Sequence, residues 1–499
     1  MSLIKKLAGE TMLYGLSSIL GRLLNYFILA SYLTRVFTGE DTEQYGIHTV
    51  MYSFAALAMV FFTYRMETTF FRFGSRAEDR ERTFTTASIS LLASTLVLVG
   101  LIWFLAEPIA ARLSHPGDGR YVRYFAFILA LDTLAVIPFA QLRLDQRPLR
   151  FALFKILNIL VNIGVLIFFL ELCPRLLAAG YDTVGGFYNP RWNLDYVFLA
   201  NLVASAVSFL LFLPRYAHTR WQFDPVLWRR MLAYAGPLIL VGVAGVIVQT
   251  LDRYLLLELL PGTDAEKLQQ VGIYGACLKI AVLMNLFIQA FNYAAEPFFF
   301  NNAKRTDSAE VYGQVAQAFT LVGSLVFLGL VLYLDLVQYL IGADYRSGLA
   351  VVPILLLAYF FLGLYYNFSI WYKLTDRTDI GAYISTAGAL ISVGLNLYLI
   401  PRIGYLGSSW AALAAYFFMA LCNYAASRRY YPVNYPVGKM AFYLLLAIGA
   451  YGLSEQLRPL VIESLGKTLA LNTLILLLYL GLIAWVERAL IRRFLQSRT

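Results

Sequence analysis

Apolar residues in this chain run in long, nearly unbroken stretches, each set off from the next by a short polar or basic segment. A transmembrane helix needs about 20 mostly apolar residues. Fourteen stretches reach that length: about 11–37, 45–63, 84–106, 121–140, 151–172, 194–213, 232–257, 271–295, 313–334, 350–371, 380–400, 406–425, 438–454 and 468–487, the thirteenth being the shortest. Continuous runs predict helices, since barrel strands would alternate between lipid-facing and lumen-facing residues. The segments between them are too short for a separate domain; the longest runs from about Cys173 to Asn193. Lys5 and Lys6 lead into a first stretch too long for a signal-peptide core, so it is read as the first span.

Charge orients the bundle. With the N-terminus inside, 26 Lys and Arg fall in segments on its side and 11 on the other, while Arg22, Arg253 and Lys279 lie within spans. The positive-inside rule therefore expects both termini in the cytoplasm. Composition agrees: 60% hydrophobic and 14% charged residues are far from the roughly 45–50% and 25% of soluble domains, which excludes a water-soluble globule, a disordered chain and a disulfide scaffold. A net charge of +10 reads as basic loops beside anionic lipid, so membrane lipids are expected partners and nucleic acid is not. The three Cys and three His are scattered, giving no disulfide framework, no metal ligand set and no cofactor site.

A repeat divides the chain. Tyr14 to Phe37 ends in Thr34-Arg35, passes an acidic turn at Gly39-Glu40-Asp41 and reopens at Tyr45-Gly46-Ile47. Tyr234 to Leu257 ends near Asp252-Arg253, passes Asp264 and Glu266 and reopens at Val271-Gly272-Ile273. Both copies start on the same side, so the expected plan is an all-α membrane protein of two parallel six-helix lobes, residues 1–213 and 231–427, joined by a basic linker at 214–230 and followed by two extra helices and a basic tail at 428–499. Parallel repeats of this kind are a transporter plan, with substrate between lobes that rock against each other.

A charge near the bilayer centre costs roughly 2.5–3.5 kcal/mol on insertion scales, so each one needs a reason. Arg22 and Asp132 each lie about eleven residues, or roughly 16 Å, into the first and fourth spans. They form either a structural pair, or an anion-binding Arg22 tuned by Asp132, which could also carry a coupling proton. Arg253 and Lys279 lie in the outer halves of the seventh and eighth spans, either snorkelling or giving the second half an anion-binding pair, with Asp252 as a pairing partner. The segment Tyr64 to Arg82 is expected to be an inside loop, with Arg65 and Arg72 as candidates for capturing phosphate at a cytoplasmic entrance. Glu296-Pro297 is expected to end the eighth span. No P-loop, G-x-S-x-G or H-E-x-x-H occurs, so no catalytic residue is assigned.

Leu251-Asp252-Arg253-Tyr254-Leu255, followed by Val271-Gly272-Ile273-Tyr274-Gly275 and Leu278-Lys279-Ile280, resembles the seventh and eighth spans of bacterial polysaccharide flippases of the multidrug, oligosaccharidyl-lipid and polysaccharide exporter superfamily. Glu296-Pro297-Phe298-Phe299, Tyr372-Lys373-Leu374, Leu395-Asn396-Leu397 through Pro401, Ile403-Gly404, Leu406-Gly407 and Ser409-Trp410-Ala411-Ala412 continue it, and Tyr45-Gly46 fits the N-terminal signature. The resemblance covers nearly the whole chain. It implies fourteen spans in a bacterial inner membrane, a monomer, and translocation of a lipid-linked oligosaccharide on a polyprenyl diphosphate by alternating access, driven by H+ or Na+. The diphosphate would need cationic partners, for which Arg22, Arg253 and Lys279 are the candidates. Alternatives are a cation-coupled multidrug exporter, which would favour acids over bases in its cavity, and a lipid II flippase, which shares the chemistry. An oligosaccharide polymerase would need a larger outer loop than the chain has.

Overall fold

The computed structural model describes residues 30–74, 77–113, 119–302, 308–375, 377–460 and 464–488. Its regular structure is helical throughout, with no strand among the described residues. In hydrocarbon each backbone N–H and C=O must find its partner inside the chain, and a helix does this within one segment. Among the described residues thirteen helices are long and apolar enough to cross a membrane: Thr42–Phe73, Asp79–Phe104, Gly119–Leu144, Pro148–Ala178, Asn193–Leu210, Pro225–Leu259, Asp264–Asn292, Ser308–Leu332, Val351–Tyr372, Asp379–Ile403, Tyr405–Tyr430, Val437–Leu460 and Leu465–Val486. They coincide with the second to fourteenth stretches of the sequence and keep those ordinals below. Of the first, only the end is described, as the helix Ala30–Val36. The chain is a multi-pass membrane protein.

Two expectations are corrected. The segment after Thr63 is not a loop: the second span breaks for two residues and resumes as the helix Met66–Phe73, because Met66, Phe70 and Phe84 bury together in one apolar cluster. Nor does Pro297 end the eighth span, whose helix runs unbroken from Asp264 to Asn302. The fifth span carries a π-turn at Phe168–Leu172, just before Pro174, and ends in the short helix Cys173–Ala178, and the segment after it is ordered by a short helix at Asp182–Gly186.

By contact the chain forms two compact units, residues 1–275 with 389–408 and residues 276–388 with 409–499, and the division passes through the eighth, eleventh and twelfth spans. In the first unit the basic end is filled by edge-on aromatics: Phe139 meets Phe212 at 4.7 Å and Phe151 at 5.5 Å. Asn396 joins the eleventh and twelfth spans by accepting from Ser408 at 2.7 Å and donating to the Ser392 carbonyl at 2.8 Å. The second unit uses the same polar glue. Asn472 accepts from Ser454 at 2.7 Å and donates to the Leu332 carbonyl at 2.5 Å, and buried Trp371 donates to Asn423 at 3.3 Å.

The second and eighth spans meet at the glycines of the repeat motif. A Cβ on Gly46 would lie 1.9 Å from the Leu268 carbonyl oxygen, and one on Gly272 would lie 3.0 Å from the Gly46 nitrogen. Gly275 faces Thr49, 2.6 Å from where its Cβ would stand. Glycine at 46 and 272 answers to backbone approaching backbone, and at 275 to the Thr49 side chain. Gly46→Ala is therefore expected to destabilise the protein by roughly 1–3 kcal/mol, since the obstacle is main chain that cannot rotate aside. Gly100, with nothing within 4 Å of its Cβ position, should accept alanine without loss. Thermal unfolding of both variants in detergent tests this; equal melting temperatures would refute it.

Candidate functional site

The intramembrane charges fall into three situations. Arg253 is closed off. It is 6% exposed, its Nη1 donates to Asp252 Oδ1 at 2.7 Å and also to the Gln249 carbonyl, and Tyr274 donates its hydroxyl to Asp252 Oδ2 at 2.6 Å. The ring of Tyr274 lies 6.0 Å from the guanidinium. Neighbours in a helix do not face each other, so this pair needs the long Arg side chain to fold back along its own helix. The resemblance signature Asp252-Arg253-Tyr254 with Tyr274 thus reads here as a sealed ion pair.

Arg65 is the opposite. Tyr64 and Arg65 both have left-handed backbone, φ 30 and 57, which is where the second span breaks. Ser90 fixes the break, bonding the Tyr64 hydroxyl at 2.6 Å and accepting from the Trp228 indole at 2.7 Å. The reversed hand turns the Arg65 side chain onto the seventh span, where Nε and Nη2 would stand 2.6 Å from a Cβ on Gly242. Gly242 is the midpoint of the 35-residue helix Pro225–Leu259, so the guanidinium sits halfway along a membrane-spanning helix. Arg65 is exposed, and no carboxylate among the described residues pairs with it. Non-glycine left-handed residues cost of order 1–3 kcal/mol and cluster at functional sites. Two turns on, Arg72 lies over the Tyr234 ring at 4.3 Å.

Asp132 belongs to a polar set within the first unit. Ser205 on the sixth span and Lys155 on the fifth are the groups whose electrostatic influence reaches its carboxyl. Its charge also reaches Tyr52, whose hydroxyl accepts from Asn201 Nδ2 at 2.6 Å. Lys155 lies seven residues inside the fifth span, with Nζ 4.2 Å from the centre of the Phe139 ring. Pro148 opens this helix and so sets Lys155 about two turns inside it. Arg22 lies outside the described residues, so its pairing with Asp132 does too. Lys279 is half-buried, fifteen residues past Asp264 in the eighth span. No group of three or more His, Cys, Asp or Glu among the described residues could hold a metal ion.

Four other arginines at the basic end are tied to carboxylates. Arg80 meets Asp145 at 2.6 Å, Arg215 meets Glu81 at 2.6 Å, Arg143 meets Glu67 and Arg82 meets Asp224. Asp224 also caps the seventh span, accepting from the Val226 and Leu227 amides at 2.9 and 3.0 Å. The Leu227 amide, then Arg82 and the Val226 amide, hold its carboxyl below the usual carboxylate range, against a smaller opposing effect of burial.

A family profile described as polysaccharide biosynthesis protein matches residues 7–303, more than half of the 499. No curated protein matches the chain by sequence. Among solved structures it is similar to "Lipid II flippase MurJ, inward closed conformation", with TM-score 0.66 and 13% identity over 93% of this chain and 99% of that one. It is also similar to an inward-facing multidrug resistance MATE family transporter of the MOP superfamily, with TM-score 0.62 and 12% identity over 81% of this chain and 94% of that one. An outward-facing transporter of the same description gives TM-score 0.56 and 15% identity over 84% and 94%. At these identities the likeness is one of fold.

The sealed and the open arginine should behave differently. Arg253→Ala leaves the Asp252 carboxylate buried without its cation and is expected to cost roughly 3–5 kcal/mol. Arg65→Ala removes no partner and should change stability by less than about 1 kcal/mol. Melting of both variants in detergent decides, and equal losses would contradict the distinction. Asp224 supplies a pH signature. Its folded carboxyl titrates below the unfolded value of about 3.9, so its contribution is present above that pH and lost as pH falls through the folded value. Acidification from about pH 5 to 2 is expected to lower the melting temperature of wild type more than that of Asp224→Asn, whose amide still caps but does not titrate. Parallel curves would count against it.

Proposed function

The chain belongs to the polysaccharide biosynthesis protein family, and from that premise we propose that it is a flippase moving a polyprenyl-diphosphate-linked oligosaccharide from the cytoplasmic to the outer leaflet of a bacterial inner membrane. The observation that carries the reading is Arg65, an exposed guanidinium set against Gly242 halfway along the seventh span. A lone cation in hydrocarbon is held at a cost. A diphosphate headgroup arriving beside it returns that cost, because the attraction grows as the local dielectric falls. Arginine suits the task, since its planar fork meets phosphate oxygens with two parallel bonds.

Arg22 and Lys279 are further candidates for the headgroup, and Arg72, one helix segment nearer the basic end, is the candidate entrance residue. Arg253 is better placed to hold the seventh span in shape. The transport cycle would be alternating access of the two halves, residues 1–213 and 231–427, as a monomer, with H+ or Na+ supplying the drive and Asp132 as coupling group. No covalent step is involved. Lipid II presents the same diphosphate, so a lipid II flippase would use the same arginine. A multidrug exporter would need an anionic cavity to attract organic cations, and the exposed intramembrane charge at Arg65 has the wrong sign for it.

Reconstitution into proteoliposomes tests the reading. Translocation of a labelled polyprenyl-diphosphate oligosaccharide, followed by the label's accessibility to an added glycosidase, is expected for wild type. Arg65→Ala should lower the rate at least about tenfold, equivalent to roughly 1.4 kcal/mol of lost transition-state binding, and Arg65→Lys should recover part of it. Translocation unaffected by Arg65→Ala would remove Arg65 from the site. Wild type that moves organic cations and no lipid would replace the flippase with an exporter.

A further inference from the structure

We infer that Gly242 and Ser90 are positioning residues for Arg65. Gly242 leaves the bay in which the guanidinium rests on the seventh span, and Ser90 holds the break in the second span that turns Arg65 toward it. The inference rests on the flippase reading above, in which Arg65 meets the diphosphate, and adds two residues that act through Arg65 and not on the lipid.

The bay is defined by what a side chain in it would strike. A Cβ on Gly242 would lie 2.6 Å from Arg65 Nε, 2.6 Å from Nη2 and 2.9 Å from Cζ, its three nearest neighbours. The two nitrogens of one edge are nearer than the carbon between them, so the guanidinium meets the helix edge-on and turns Nη1 away from it. Gly236 and Gly245, on the same helix, have nothing within 4 Å of their Cβ positions. Gly242 is thus the one of these three whose missing side chain leaves room that is filled. What fills it is the end of a long, rotatable side chain, so a methyl group there would displace the guanidinium and leave the backbone where it is.

Arg65 reaches the bay because the second span changes hand. The helix Thr42–Thr63 closes on Tyr64, whose amide donates to the Val60 carbonyl at 2.9 Å. The next helix opens on Arg65, whose carbonyl accepts from the Thr69 amide and hydroxyl at 3.1 Å each. Between these bonds only the two left-handed residues set the direction in which the Arg65 side chain leaves the chain. Neither is of a type that favours such backbone, so the hold must come from outside. It comes at Ser90 of the third span. One hydroxyl there bonds the Tyr64 hydroxyl at 2.6 Å and accepts from the Trp228 indole at 2.7 Å, tying the third span to the second and the seventh. Ser90 is buried, so water does not compete for either bond.

Past the break, the resumed helix is pinned to the same partner. Tyr234 of the seventh span lies edge-on to Phe73 at 6.2 Å and beneath Arg72 at 4.3 Å, and Arg230 covers Phe73 at 5.9 Å. Arg65 with Gly242, Arg72 with Tyr234 and Phe73 with Arg230 therefore run in step along two antiparallel helices. Without Ser90 the two-residue break can relax toward continuous helix, in which each residue turns by about 100°. The guanidinium then leaves the bay with its charge intact and its orientation lost. A fork that binds phosphate oxygens in pairs needs both. Seating the side chain beforehand also meets the ordering cost of a long, rotamer-rich group before the anion arrives.

The test is a double-mutant cycle with two readouts: translocation of the labelled polyprenyl-diphosphate oligosaccharide in proteoliposomes, and calorimetric binding of pyrophosphate to the protein in detergent. Gly242→Ala is expected to lower the translocation rate and weaken pyrophosphate binding by at least about fivefold each, the scale of coupling between residues in contact. Its melting temperature should stay close to that of wild type. In an Arg65→Ala background the same substitution should leave the residual translocation rate unchanged, because the group it displaces is gone. Ser90→Ala should lower both readouts at least about threefold, again only while Arg65 is present. Ser90→Thr, which keeps the hydroxyl, should recover most of that loss. Equal effects of Gly242→Ala with and without Arg65 would mark ordinary packing and overturn the inference, as would a Gly242→Ala protein that no longer folds. Translocation that depends on Arg65 but on neither Gly242 nor Ser90 sinks it and leaves the flippase standing. Pyrophosphate binding that depends on all three residues, in a protein that moves no lipid, does the reverse.

Discussion

A charge inside hydrocarbon has no water to fall back on, and the rest of this molecule can be understood from how each such charge is settled. Arg253 is settled internally: Asp252 and the Gln249 carbonyl take up its guanidinium, and Tyr274 satisfies the carboxylate that remains. The basic end is settled by pairing, with Arg80, Arg143 and Arg215 each on a carboxylate from another helix. Arg65 is settled by neither means. A cation left without a partner in such a position needs a reason, which is why Arg65 carries the proposed function.

The same constraint explains how much could be read without coordinates. Thirteen stretches identified from continuous apolar runs reappear as helices because length and hydropathy alone decide whether a segment can satisfy its backbone in lipid. Side-chain placement depends on other things. Arg65, Glu67 and Arg72 made the segment after Thr63 look like a loop, yet Met66, Phe70 and Phe73 recur at helical spacing, a signal outweighed by the density of charge. The left-handed pair at Tyr64 and Arg65 has no sequence signature, since neither is glycine, asparagine or aspartate. Asp252 is a pairing candidate from the sequence, but adjacency in a helix does not show that the Gln249 carbonyl and Tyr274 complete the pair. Asp132 was visible as well, while its partners Ser205 and Lys155 come from other helices and only folding brings them near.

The fold is shared with proteins described as moving lipid II and as exporting drugs, so architecture by itself leaves cargo open. Cargo is therefore argued from chemistry hung on that frame, above all the exposed cation set against the seventh span halfway along its length.

The glycine crossing of the second and eighth spans has a mechanical corollary. Helices that interlock through large side chains must withdraw knobs from holes before they part, and the withdrawal sets a rate. At Gly46 and Gly272 there is nothing to withdraw. The helices rest on each other through main chain, so they can separate or slide with little friction and return to the same register. A joint of that kind behaves as a bearing and not as a latch. It holds the geometry of the cycle while leaving its timing to the charges elsewhere in the spans.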